Sequence, residues 1–392
     1  LAAQNALLAA GQDITTGGTV TATAGMVDLD AGNDVTTTGF ALTAGTAVNV
    51  TAGEDAVLDA VTANGGDATL DAGIDMVLAG DVNAAAGNIT GTAGGSITQS
   101  GALAAQNIAL AADTGSIDST NTITAATDVT LDAGTDIDTT AAILATAGAA
   151  LITADGSIAL GDTVTAGTSV TVDGDQDVTT AAALTGGTTV DVTAGQTAIL
   201  DVINALGGDA TLTAGLDLTL GNTVDASANI IANAGNDMFV NGPIAATAGI
   251  DVTLTTDTGS ITTTDTVEAD NEVTLIAGQN ITTGATVTAD GDDVNLTAVT
   301  GSITTGAAVL AAQNALLAAG QDITTGGAVT ATTGQVNLNA GNDVTTAGFG
   351  LVATAGPVNV TAGEDAVLGT VTAGAGNATI DAGIDMVLGG AV

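Results

Sequence analysis

Asp173-Gly-Asp175-Gln-Asp177 is the stretch whose residue types and spacing come nearest to a chemical site. Three carboxylates on alternate residues offer closely spaced oxygens, the ligands that Ca²⁺ prefers. Asp290-Gly-Asp292-Asp293 is a second, less regular candidate. Neither run has the spacing of an EF-hand loop or of the glycine-rich Ca²⁺-binding nonapeptide. Asp173, Asp175 and Asp177 are therefore the candidate metal ligands and Ca²⁺ the candidate ion. The alternative is an exposed acidic turn. No other cofactor is expected.

Composition argues against catalysis. The chain of 392 residues has no Lys, Arg, His, Cys, Trp or Tyr, so no basic side chain can act as a general base. Paired carboxylates can run glycoside hydrolysis. With 43 Asp and Glu, however, close pairs arise by chance, and none has unique surroundings. We expect no enzyme. The formal charge of −43 also opposes nucleic-acid binding, which needs cations against phosphates, and binding to anionic membrane surfaces. No run of 18 apolar residues occurs, so no membrane insertion is expected. Apolar residues make up 45% of the chain, enough to bury a core despite the charge. Three explanations for the missing basic residues stay open: protease resistance, economy of nitrogen, and avoidance of anionic glycans and DNA.

The elements that carry these residues repeat. The first 82 residues return almost unchanged 309 positions later, and LAAQNALLAAGQDITTGG starts at both Leu1 and Leu310. Inside that long repeat runs a shorter one, an Ala-Gly-x-Asp-apolar motif. Its apolar residue falls at Ile14, Val35, Ala56, Met76, Ile97, Ile117, Ile137, Ile158 and Val178. It continues at Ala198, Leu218, Met238, Ile261, Ile281, Ile303, Ile323, Val344, Ala366 and Met386. Ile14 to Ile323 is 309 residues in 15 steps, or 20.6 per step. A nested repeat of this length indicates a solenoid. One long repeat, 1–309, then holds 15 coils, and 310–392 begins the next. We expect 1–392 to be one continuous β-helix segment. Because the chain starts and stops inside the pattern, it reads as a window of a longer array.

Each step contains three apolar centres. Pairs such as Val27/Leu29, Ile108/Leu110 and Val294/Leu296 precede the landmark. A third centre follows it, as at Val20, Val61, Leu103 and Val287. The alternation has period two, the mark of a strand with one buried face. Gly at positions such as Gly32, Gly53 and Gly73 marks turns. Three short strands per 20–21 residues describe one turn of a parallel β-helix, here about 19 coils. At ~4.8 Å per coil the expected rod is roughly 90 Å long. A single coil buries too little to offset its ordering, so stability must come from stacking.

Asp, Asn or Ser precedes the landmark in most coils, as at Asp13, Asp34, Asp55, Asp75, Ser96 and Asn280. All three accept a nearby backbone N–H in a tight turn. Stacked carboxylates that bind cations are the alternative reading. Thr19-Val-Thr21, Thr122-Ile-Thr124, Thr163-Val-Thr165 and Thr286-Val-Thr288 fit an ice-binding face locally, but such a face needs consecutive coils in register and these are scattered. Phe40 and Phe349 occupy one repeat position. They read as plugs of the core, with an exposed adhesive aromatic as the alternative.

The strings AGQDITT, VNVTAGEDAVL, VTLDAGTDIDTT and VNLNAGNDVTT resemble repeats of filamentous haemagglutinin-type adhesins, giant bacterial exoproteins. The resemblance covers essentially the whole chain. It implies a right-handed parallel β-helix outside the cell, at the cell surface, exported by a dedicated outer-membrane transporter. The near-exact long repeat and the missing basic residues depart from that family. The expected role is a stiff, acidic structural filament for attachment or cell–cell linkage. The expected partners are other copies, by end-to-end stacking or lateral bundling, and divalent cations. Alternatives are the passive stalk of an adhesin whose tip lies elsewhere and, more remotely, an ice-binding β-helix.

Overall fold

Every one of the nineteen landmark residues, from Ile14 to Met386, is the first residue of a short strand. The computed structural model describes residues 1–247, 250–346 and 348–392. Among them the chain is all-β, without a helix. It is a parallel β-helix of the right-handed type, the hand that parallel crossovers favour. Each coil but the last has a five-residue long strand, a short middle strand and a short third strand; the last ends after its middle strand, Met386–Leu388. Ala68–Ala72, Met76–Leu78 and Val82–Ala84 form one such coil.

The chain divides into two compact units, Leu1–Gly195 and Gln196–Val392. Ten long strands belong to the first unit and nine to the second. Within each unit every strand pairs in parallel with its equivalent one coil on. In the first unit Ala68, Leu70 and Ala72 face Ile89, Gly91 and Ala93. In the second, Val294, Leu296 and Ala298 face Ala315, Leu317 and Ala319. Residues at positions one, three and five of the long strand point inward, as the burial of Ala68, Leu70 and Ala72 shows.

Side-chain size along a coil sets its outline. Position five of the long strand is small almost throughout, as at Ala31, Ala52, Ala72, Ala93 and Ala112. A corner of three or four residues follows directly in these coils. Larger Leu and Ile fill position three and the start of the middle strand, as at Leu131 and Ile137, both buried. Length variation falls in the corners. Leu351 lies 309 residues after Leu42, but Val358 lies 310 after Val48. The extra residue sits between the strands Leu351–Ala353 and Val358–Ala362, and both keep their register with the preceding coil.

Candidate functional site

The corner before each middle strand carries the main polar feature of the molecule. In most coils the residue there uses its side-chain oxygen to accept the backbone N–H of its equivalent in the next coil; Ser116 instead donates its hydroxyl to Asp118 Oδ2 at 3.0 Å. In the first unit Asp13 accepts from Asp34, Asp34 from Asp55, Asp55 from Asp75 and Asp75 from Ser96, at 3.4, 3.1, 3.1 and 2.7 Å. In the second unit the Oδ1 of Asp217 accepts from Asp237, and Asp237 from Ser260, at 3.0 and 2.8 Å. The relay passes through Asn280, Ser302 and Asp322 to Asp343. The sequence points to these residues for the right chemistry, a side-chain oxygen taking an N–H. Their partner, however, is 20–23 residues away rather than in the same turn. The reason is geometric. The strand's first N–H already points up the stack, as from Ile14 to the carbonyl of Asp34 at 2.8 Å. The corner N–H points down the stack and needs a side-chain acceptor.

A second column, at the corner before the long strand, is not legible in the motif. Asp67 accepts from Asn88 at 2.8 Å, Asp128 from Ala149 at 2.8 Å and Asp209 from Asn229 at 2.8 Å. Asp251 accepts from Glu272 at 3.2 Å and Asp293 from Asn314 at 2.8 Å. The position is also held by Met26, Ala47 and Pro357, so no fixed residue type announces it. Spacing to the next apolar pair is the signal that would have found it.

The candidate metal ligands fall in different parts of this scheme. Asp173 faces outward from the strand Val170–Gly174, between Thr153 and Thr193 of the adjacent coils. Asp175 and Asp177 are exposed at the following corner. The N–H of Asp177 donates to Ser157 Oγ at 3.4 Å, which makes it a member of the first column. Asp290, Asp292 and Asp293 form the corner before Val294–Ala298. Desolvation at this half-buried corner, then the carboxylate of Asp293 and those of Glu272 and Asp251, hold Asp292 above the usual carboxylate range. Among the described residues no group of three or more His, Cys, Asp or Glu is gathered as metal ligands would be.

Phe40 and Phe349 are not core plugs. They are 38% and 43% exposed. Each follows a glycine of positive φ, Gly39 at 79° and Gly348 at 84°. The N–H of Phe40 donates to Thr37 O at 2.9 Å and that of Phe349 to Thr346 O at 2.7 Å. These tight turns carry the rings out to the surface. The interior instead holds hydroxyls. Thr263, Thr283, Thr305 and Thr325 end four successive middle strands and are buried, and their Oγ1 atoms have no hydrogen-bond partner. No long apolar helix suited to crossing a membrane occurs among the described residues. No family model matches the chain, and comparison with curated proteins and with solved structures gives no match.

Proposed function

We propose that the chain is a segment of an extracellular structural filament, a surface protein of the adhesin type without catalytic activity. One observation carries this reading: in most coils the backbone N–H left over at the corner before the middle strand is taken up by a side chain of the adjacent coil. A fold of this kind extends by adding coils and needs no separate core. A charge of −43 with no basic side chain keeps such a filament soluble and apart from its sisters in low salt. Divalent cations bridge the acidic faces of neighbouring copies into bundles, and end-to-end stacking lengthens them. Oriented fibres of the purified chain should give a meridional reflection near 4.8 Å. Its absence would sink the filament reading. Bundles seen by electron microscopy with Ca²⁺ or Mg²⁺ should disperse on chelation.

The runner-up is a passive stalk. It differs in one outcome: isolated chains then neither self-associate nor bind cells. Ice binding has one observation in its favour. Thr262, Thr282, Thr304, Thr324 and Thr345 occupy the outward position of five successive middle strands, in register. A recrystallisation assay tests it, and coarsening at the rate of a protein-free control would remove it.

A further inference from the structure

Corner length varies between coils of the second unit, and the variation cuts a notch. Four residues, 257–260, join Thr256 to Ile261, and four more, 299–302, join Ala298 to Ile303. Between these two coils only Gly278, Gln279 and Asn280 join Ala277 to Ile281. The two longer corners share Thr-Gly-Ser, in Asp257-Thr-Gly-Ser260 and Val299-Thr-Gly-Ser302. They stand out on either side of the shorter one. The result is a groove of about 570 Å³ bounded by Asp257, Thr258, Gln279, Asn280, Val299 and Gln321, with Thr300 behind. The two longer corners are two coil steps apart, roughly 9.6 Å, and Gln321 lies on the next corner beyond them, so the lining spans three steps, roughly 14 Å, room for one or two sugar rings of an extended chain.

The polar atoms are partly committed. Thr258 Oγ1 donates to Gly235 O at 2.9 Å and Thr300 Oγ1 to Gly278 O at 2.7 Å. Gln279 Nε2 donates to Thr258 O at 3.0 Å, and Asn280 Oδ1 accepts from the N–H of Ser302 at 2.9 Å. These bonds hold the walls in place. They leave Gln279 Oε1 and the Asp257 carboxylate as acceptors, Asn280 Nδ2 as a donor, and the Gln321 amide as both. A mixed set of this kind matches groups that donate and accept at once, which is what vicinal hydroxyls do. Val299, 60% exposed, offers an apolar wall for the C–H face of a ring. The net charge repels anions. One carboxylate alone makes a poor cation site, since Ca²⁺ takes six to eight oxygens.

We propose that this notch binds one or two adjacent units of an uncharged saccharide, with Asp257 and Gln279 accepting from its hydroxyls and Asn280 and Gln321 donating to them. The proposal goes beyond the filament reading and does not depend on it, because the filament stands with the notch empty. No aromatic ring stacks here, so affinity is expected to be weak, roughly millimolar, or about −4 kcal/mol.

The test uses the full chain and a panel of hexasaccharides of glucose, galactose, mannose and N-acetylglucosamine, with hexagalacturonate as the anionic control. Binding is read by saturation-transfer NMR and titration. At least one neutral sugar should bind about tenfold more tightly than the anionic one. Asp257→Ala and Gln321→Ala should each weaken it several-fold. Asp113→Ala, in the equivalent Asp-Thr-Gly-Ser corner of the first unit, should leave it unchanged. Circular dichroism confirms that each variant folds, since all three side chains are exposed. The idea is overturned if no neutral sugar binds near 10 mM (about −2.7 kcal/mol), or if binding survives in the Asp257→Ala/Gln321→Ala double variant.

Discussion

The backbone N–H of Ser96 donates to Oδ1 of Asp75 across one coil step, at 2.7 Å. The bond fixes the role of a residue that the motif alone leaves ambiguous. Asp75→Ala removes the acceptor and leaves a corner N–H to find water, a cost of about 1 kcal/mol. Asp75→Asn keeps Oδ1 and should cost much less. Hydrogen exchange at the Ser96 amide checks this directly. Exchange should accelerate in the alanine variant and stay slow in the asparagine variant. Equal exchange in both would mean that the side chain does not carry the bond.

Asp292 gives the pH dependence its sign. Its folded-state pKa lies above the ordinary 3.8, through desolvation first and then Asp293, Glu272 and Asp251. A carboxyl with a raised pKa binds its proton more tightly in the folded chain than in the unfolded one. Stability therefore falls as pH rises from 3.8 through the raised value, and the penalty is complete above it. Asp292→Asn should raise the urea midpoint at pH 7. The gain should vanish near pH 3, where the wild-type carboxyl is already neutral in both states. A gain that persists unchanged at pH 3 would assign the effect to something other than charge.

How much of this was legible in the sequence depends on which physical rule fixes each residue. The strand starts follow from inward apolar side chains, and all nineteen landmarks are strand starts for that reason. The acceptor column was legible as chemistry but not as connectivity, because Asp75 and Ser96 are neighbours only after stacking. At Phe40 the sequence points the wrong way, because an aromatic residue suggests a core. The turn at Gly39, with its φ of 79°, carries the ring outward instead. The notch was invisible to motif reading, since it arises from a difference of one residue between the corners 257–260 and 278–280 and not from any residue type.

Thr305 tests the interior. Its side chain is buried, and Oγ1 has no partner. Val240 fills the same position of another middle strand in this unit, fully buried. Thr305→Val keeps the shape and removes the orphan hydroxyl, so it should stabilise by about 1 kcal/mol. Thr305→Ser keeps the hydroxyl and loses a methyl, and should destabilise by about 1 kcal/mol. Urea midpoints of the two variants should move in opposite directions. A loss in the valine variant would show that the hydroxyl has a bonding role.

Two glycines separate strain from space. At Gly39 nothing lies within 4 Å of an added Cβ, but φ is +79°. Gly39→Ala therefore costs only the left-handed backbone, about 1–2 kcal/mol. Gly53 has the opposite problem. An added Cβ there would overlap the carbonyl of Gly32, its equivalent one coil earlier, and Gly73 meets Gly53 in the same way. The corner must shift to admit it, and overpacking of this kind costs about 1–3 kcal/mol. The variants should also differ in reach. Gly39→Ala should leave hydrogen exchange in the strand Val48–Ala52 unchanged, because its strain stays within one turn. Gly53→Ala should speed exchange at the N–H of Gly53 itself, which donates to Ala31 O at 3.0 Å, and at the corner of the coil before it. Uniform loss of protection across the first unit in both variants would mean that its coils unfold together and that neither effect is local.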